Sequence, residues 1–414
     1  MTAGASDPRR IKVLLLIDSL QGGGAERSLA EMLPGLRRRG VDPIVVCLRR
    51  SAEGVEDQVR GRFDLRYLAA GRFPGRVRAV RRIIRTERPD LVHTTLLQSD
   101  LVGRLAAIGT PVTVLTSLVN TSYDPVRFAD PRIRPWVFRI VQRIDGLTAR
   151  RLTAHFHAIT GAVKDHNVEA LRLRADRVTV IERGRDDARL GRGSDDRRRA
   201  SRRALDLADD AEVVVTLGRQ EYQKGQRFLL EAVERLAQQR PRLVLLMLGR
   251  RGAASPELDG LLRRPLLAER VKVLGHRDDA PDVLAAADLF AFPSLFEGLG
   301  GSLIEAMALG LPIVASDLPA IREVLERGND GNATLVPPGT SEPLAAAIDD
   351  LLSDRGKAGR FGARSRRIFE ERFTLDRSID RMAGLYRALV ADRAGARSVV
   401  MAGRTQGTRE ESTR

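Results

Sequence analysis

Two series of strand-sized apolar runs, separated by one polar stretch, constrain this chain more than any other feature. In the first series Ile11–Ile17, Ile44–Leu48, Leu91–His93 and Val112–Leu115 read as strands. Ala25–Arg39 reads as a helix with Leu29, Met32, Leu33 and Leu36 on one face, and Val77–Arg85 as another, ended before Pro89. Residues 186–210 break the pattern. They are rich in Asp and Arg, have almost no apolar periodicity, and read as a linker with a short polar helix. The alternation then restarts, with strands at Val213–Leu217, Leu243–Leu248, Val271–Leu274, Leu289–Phe292 and Ile313–Ala315. Strands alternating with helices argue for α/β architecture with parallel sheets. Two such series predict two similar domains, 1–185 and 186–375, whose open sheets face a cleft. Ligands of such sheets sit beyond the carboxyl ends of the strands. Residues 393–414 are polar and free of aromatics, and are expected to be disordered.

The chain has 414 residues, too many for one domain of about 100–200 residues. A membrane-spanning helix needs about 18 consecutive apolar residues, and the longest runs here are strand-sized. Arg9 and Arg10 before a short apolar run imitate a signal peptide, but Asp18 and the glycines that follow end the run. The single cysteine, Cys47, excludes an internal disulfide and fits a reducing compartment. The expected location is therefore cytoplasmic.

The net charge is +16, and its distribution is uneven. Residues 1–185 hold 33 Lys and Arg against 19 Asp and Glu, whereas the rest hold 37 against 35. A basic half suits nucleic acid, an anionic membrane or a phosphorylated substrate. A plainer account is compositional, since 65 Arg stand against five Lys. Aromatics make up only 4% of the chain and no nucleic-acid module is recognisable, so nucleic acid is not an expected partner.

The segment Phe292–Ile313, FPSLFEGLGGSLIEAMALGLPI, places Glu297 and Glu305 eight positions apart around Gly298, Gly300 and Gly301. Glycine lets backbone approach a ligand, and the bare N–H groups of a helix start attract an anion such as a diphosphate. A carboxylate on either side of that anion can hold sugar hydroxyls. The local alternative is a capping box, Ser302-Leu-Ile-Glu305, in which Glu305 reaches back to the helix start. In VVVTLGRQEYQKG, residues 213–225, a strand ends in a loop with Arg219 and Lys224, a pair able to clamp a diphosphate. The loop Gln21–Glu26, QGGGAE, joins the first strand to the first helix and is either a second anion cradle or a tight turn. Gly275-His276-Arg277 follows another strand, where a turn can meet a nucleotide base. The five histidines do not cluster, and Asp-x-Asp is missing, so no metal is expected.

These motifs, in order, resemble the large retaining glycosyltransferase family 4, which has the GT-B fold of two Rossmann-like domains with parallel sheets facing an interdomain cleft. The resemblance rests on Gly22-Gly-Gly-Ala-Glu26, Gly218-Arg219-x4-Lys224-Gly225, Gly275-His276 and Glu297-x7-Glu305, with Leu335-Val-Pro-Pro-Gly339 in support. It covers residues 11–390 and is closer in the second half. It implies an enzyme that moves a sugar from a nucleotide-diphosphate sugar to a glycan or lipid-linked acceptor, without cofactor or metal. By this resemblance Arg219 and Lys224 hold the leaving diphosphate and Glu297 contacts the transferred sugar. Glu305 binds the ribose, and the Gly301, Ser302 and Leu303 backbone completes the cradle. Arg277 lies near the base, and Gly23 and Gly24 approach the phosphates from the other domain. The last helix, near residues 376–391, packs back onto the first domain.

Departures fall on the acceptor side. Arg183-Gly-Arg-Asp186 stands where the family has Asn-Gly-x-Asp, His93-Thr-Thr95 where His-Thr-His is common, and Thr116–Asn120 has no His. Trp136, Val137, Phe138, Ile140 and Val141 among Arg134, Arg139 and Arg143 suit peripheral contact with an anionic membrane, or an ordinary packed helix. Two other functions are alternatives: a non-hydrolysing nucleotide-sugar epimerase, and a basic nucleic-acid binder.

Overall fold

The computed structural model describes residues 10–410 apart from 52, 53, 70, 131, 327 and 329. The first domain holds a seven-stranded parallel sheet: β1 (Ile11–Ile17), β2 (Val41–Cys47), β3 (Asp64–Tyr67), β4 (Leu91–Thr95), β5 (Thr113–Leu118), β6 (His155–Ala158) and β7 (Val178–Val180), in the order β3-β2-β1-β4-β5-β6-β7. The second holds a six-stranded one: β8 (Glu212–Leu217), β9 (Leu243–Leu248), β10 (Val271–Gly275), β11 (Leu289–Phe292), β12 (Ile313–Ser316) and β13 (Ala333–Val336), in the order β10-β9-β8-β11-β12-β13. This is the α/β GT-B architecture.

The apolar runs form strands because both of their faces are covered. In β1, Val13, Leu15 and Ile17 join one core with Leu33 and Leu36 of the helix Gly24–Arg38, while Leu14 and Leu16 join Val80, Ile84 and Val102 on the opposite face. In β8, Val213 and Val215 face one core and Val214 the other. The first of these two cores crosses the domain boundary and takes in Phe156, Ile159 and Val163.

Between the sheets, Ser194 caps the short polar helix Asp195–Ala204. The C-terminal helix Leu375–Glu410 returns to the first domain. It packs so closely on Gly35 that a Cβ there would lie 2.3 Å from Ile379 Cδ1. Arg39 ties the contact down by pairing with Asp376 and Asp380. The helix also runs through residues 393–410, where the polar composition predicted disorder. Ala, Arg, Met and Glu are good helix formers, and a helix already nucleated by tertiary contacts extends through them at small cost. Residues 411–414 of that expected tail lie outside the described residues.

Candidate functional site

In the second sheet the chain leaves β8 toward β9 on one side, and β11 lies on the other. The carboxyl ends of β8 and β11 therefore diverge and leave a crevice. The loop after β8 carries Arg219 and Lys224, and the loop after β11 carries Glu297. The two loops are zipped together: Leu295 N–H donates to Gln223 O at 2.8 Å, and Gln223 Nε2 donates to Phe296 O at 2.8 Å. Gly225 has φ 59°, and a Cβ there would lie 2.0 Å from Pro293 O, so only glycine lets the loops close this tightly. The zipper brings Lys224 Nζ onto the buried Glu297 carboxylate, which also accepts from Ser294 Oγ at 3.0 Å. The same ammonium lies 5.5 Å from the centroid of the Phe292 ring. Arg219 is exposed, and its guanidinium bonds no described residue.

Glu305 sits on the helix Gly301–Ala308, whose N-cap is Gly300 at φ 84° with no side-chain cap. Ser302 lies inside the helix rather than at its cap, and Leu303 is fully buried in the core. Glu305 does not return to the helix start; its Oε1 accepts from Arg185 Nε at 2.9 Å and lies 3.6 Å from Arg27 Nη1. The capping-box alternative is thereby removed, and the N–H groups of Gly301 and Ser302 stay open to a ligand, whereas Leu303 N–H, expected in the cradle, donates to Gly300 O at 3.0 Å because the helix begins with that tight turn.

The first domain meets this crevice through the loop between β1 and the helix Gly24–Arg38. Gly23 is that helix's N-cap, and Gly24 is exposed with open space around it. From the second domain Arg250 Nη1 donates to Gln21 O at 3.1 Å across the cleft. Deeper in, Thr160 Oγ1 donates to Gly298 O at 2.9 Å, and a Cβ on Gly298 would lie 2.5 Å from Val119 O. Glu323 takes the open N–H groups of Gly161 and Ala162 at the start of the helix Gly161–Leu171. Burial, then the neighbouring Arg185, push the Arg183 guanidinium down to about 10.

The structure thus brings together Lys224 and Glu297, and sets Glu305, Gly301, Ser302 and Leu303 on the adjoining helix. Among the described residues Arg277 bonds none of them. It follows the edge strand β10, and its guanidinium forks onto Asp279 at 2.7 and 2.6 Å. Among the described residues no group of three His, Cys, Asp or Glu side chains is placed to hold a metal. Arg185, Arg250, Arg27 and Ser294 were missed as site residues. Arg185 and Ser294 lay within quoted motifs. Arg250 had one signal, its place just after a strand, and Arg27 followed the glycine loop, but an Arg-rich chain hides such residues.

The chain is similar in sequence and fold to known proteins. The model described as Glycosyl transferases group 1 matches residues 211–354, and Glycosyltransferase Family 4 matches residues 22–189. The D-inositol 3-phosphate glycosyltransferase of Kineococcus radiotolerans is 29% identical over 91% of this chain and 92% of its own length. The alpha-D-kanosaminyltransferase of Streptomyces kanamyceticus is 29% identical over 46% of this chain, and the match spans only 50% of that relative. The lipopolysaccharide core mannosyltransferase LpsB of Rhizobium meliloti is 27% identical over 51% of this chain and 61% of its own length. Among solved structures, Anabaena HepE in complex with UDP-glucose superposes with a TM-score of 0.78 at 25% identity, over 92% of this chain and 100% of that one.

Proposed function

Because the chain belongs to the family 4 glycosyltransferases, we propose that it moves a sugar from a nucleotide-diphosphate sugar to a glycan or lipid-linked acceptor, with retention at the transferred carbon and without a metal. The observation that carries this reading is the Lys224–Glu297 pair, held at the β8/β11 crevice beside an uncapped helix start and the exposed Arg219.

The chemistry follows from charge. Departure of a nucleoside diphosphate builds negative charge on its phosphate oxygens. Lys224, Arg219 and the N–H groups at Gly301 and Ser302 are fixed before that charge develops, so they stabilise it without reorganising. A donor diphosphate draws Lys224 away from Glu297, which frees that carboxylate for the hydroxyls of the transferred sugar. Arg185 and Arg27 both reach Oε1 of Glu305, which leaves Oε2 for the ribose hydroxyls. Gly23 and Gly24 face the phosphates from the opposite domain, and Arg277 reaches a base only by releasing Asp279. Contacts across the cleft exclude water, which protects the donor from hydrolysis. The leaving phosphate takes the acceptor's proton on the same face, so no separate base is needed.

Acceptor binding falls to the first domain, which we place on an anionic membrane surface at the cytoplasmic side. The helix Pro135–Leu152 supports this. It exposes Trp136, Ile140, Ile144 and Leu147 at 63, 47, 48 and 45% along one stripe, while Asp145 and Ala149 are buried on the opposite face. Arg139, Arg143 and Arg151 are exposed beside the stripe. Among the described residues no helix is long and apolar enough to cross a membrane.

The deciding measurement is ligand-observed NMR with UDP-, GDP- and ADP-sugars in EDTA, on the natural protein and Lys224→Ala. Binding of one donor, weakened at least about tenfold in the variant, is expected for a lost charged hydrogen bond. If no donor binds, the reading is withdrawn.

A further inference from the structure

The segment joining the two domains places a third cation at the start of the helix Gly301–Ala308. Its backbone is pinned where the chain crosses between domains twice. Arg185 N–H donates to Phe373 O at 2.8 Å, and Leu375 N–H donates to Arg185 O at 2.8 Å. A Cβ on Gly184 would lie 2.2 Å from Thr374 O, so the two crossings touch. From this anchored position the Arg185 side chain enters the crevice and is only 3% exposed. Nε donates to Glu305 Oε1 at 2.9 Å; Nη1 donates to Gly184 O at 3.0 Å and to Ser28 Oγ at 3.2 Å. Nη2 donates to no described residue. It lies against Gly301, where a Cβ would sit 2.1 Å from it.

This is an unfavourable place for a lone guanidinium. The start of a helix is the positive end of its dipole, which repels a cation and attracts an anion. The surroundings add to the excess. Glu305 is shared between Arg185 and Arg27, and Glu31 between Arg185 at 4.0 Å and Arg189 at 3.2 Å. Two carboxylates thus face three guanidinium groups. A buried cation with one open N–H corner, aimed at an uncapped helix start, is satisfied by an anion with several oxygens.

We infer that Arg185 is a ligand for the donor's phosphates, acting with Arg219 and Lys224, and that Glu305 holds its guanidinium in the receiving pose. The inference rests on the donor-site reading above. Because Nη1 also bonds Ser28 in the first domain, phosphate on Nη2 joins the donor to both domains at once. Arg185 stands at the variable position of the Asn-Gly-x-Asp pattern, so this contact belongs to this chain's own sequence.

The test is calorimetric titration of the natural protein, Arg185→Gln, Arg185→Lys and Lys224→Ala with UDP, GDP and ADP, and with uridine, guanosine and adenosine as phosphate-free probes. For whichever base binds, Arg185→Gln is expected to weaken the diphosphate about tenfold or more and leave the nucleoside unchanged. Arg185→Lys keeps a charge for Glu305 but loses the forked geometry. It is expected to fall between the two, and it decides the matter if the Gln variant does not fold. Unchanged or tighter diphosphate binding in both Arg185 variants, with Lys224→Ala still impaired, overturns the inference and makes Arg185 a plug or an interdomain tie. Equal loss of nucleoside and diphosphate overturns it as well. If Lys224→Ala also binds normally, the donor-site reading itself fails.

Discussion

Single residues in this chain act through what burial does to them. The departure at His93-Thr-Thr95 shows this. His93 Nδ1 meets Tyr386 Oη at 2.7 Å and Nε2 meets Ser117 Oγ at 2.7 Å; that hydroxyl meets His157 Nδ1 at 2.8 Å, and His157 Nε2 meets Ile181 O at 2.9 Å. The chain of polar groups runs from the C-terminal helix across β4, β5 and β6 to Ile181. Burial pushes His93 down to about 3, with His157 and Arg183 adding to it, and burial pushes His157 down to about 4. Both stay neutral in the fold where the unfolded chain already takes up protons. Stability is therefore lost as pH falls below the usual value near 6.5, down to about 4. Asp100 opposes this, since burial raises its carboxyl to about 7 and the folded chain binds that proton first. For His157 alone the loss between pH 7 and 5 is roughly 2 kcal/mol. Melting temperatures at those two pH values are expected to differ less in His157→Gln than in the natural protein; equal differences would clear the histidine network of any role. Cys47 shows the same principle. Burial, then Glu26, raise its thiol to about 12, so it stays a thiol and not a thiolate.

Loops at the scale of whole elements make the crevice. Gly225 is the joint between the β8 and β11 loops, and its replacement by alanine adds a Cβ against Pro293 O at a positive φ. Strain of this kind costs about 1–3 kcal/mol. Gly225→Ala is expected to lose roughly that much stability and most nucleotide binding together, because Lys224 and Glu297 part. Gly260→Ala is the control: it is helical, with nothing near its Cβ, and should bind donor normally. A Gly225→Ala protein with natural affinity would show that the zipper does not shape the site. Element boundaries also show where local pattern stops. β2 begins at Val41, ahead of Pro43, although a proline argues against a strand. Its outer neighbour β3 pairs only with Ile44–Cys47, so at Pro43 the strand is an edge and needs no donor there. The strands β3, β6, β7 and β13 were not foreseen. They are three or four residues long, and β6 carries two histidines; pairing with a neighbour, not hydrophobic pattern, makes them strands.

On the scale of the whole molecule, charge and apolar surface meet on the first domain. The excess of Arg over residues 1–185 and the exposed stripe on Pro135–Leu152 fall in the same half of the chain. Each is ordinary alone; together they support the docking on anionic lipid proposed above. The protein is expected to sediment with vesicles containing phosphatidylglycerol, and less so in high salt. Trp136→Ser with Ile140→Ser should abolish sedimentation and leave donor binding intact. Sedimentation unaffected by the double variant would mean that this helix is not the docking face.

The sequence by itself determined the two series of α/β elements and the segments that carry the crevice. Apolar runs in period and glycines next to charged residues are local signals, and local backbone preference is enough to express them. The Glu297 and Lys224 loops were visible for that reason. Only the tertiary structure decided what each charge pairs with. Arg185 and Glu305 are 120 residues apart in the chain, as Lys224 and Glu297 are 73 apart. One arginine among 65 becomes distinctive only when a chain crossing buries it at a helix start, because desolvation and the helix field act through space and not along the sequence.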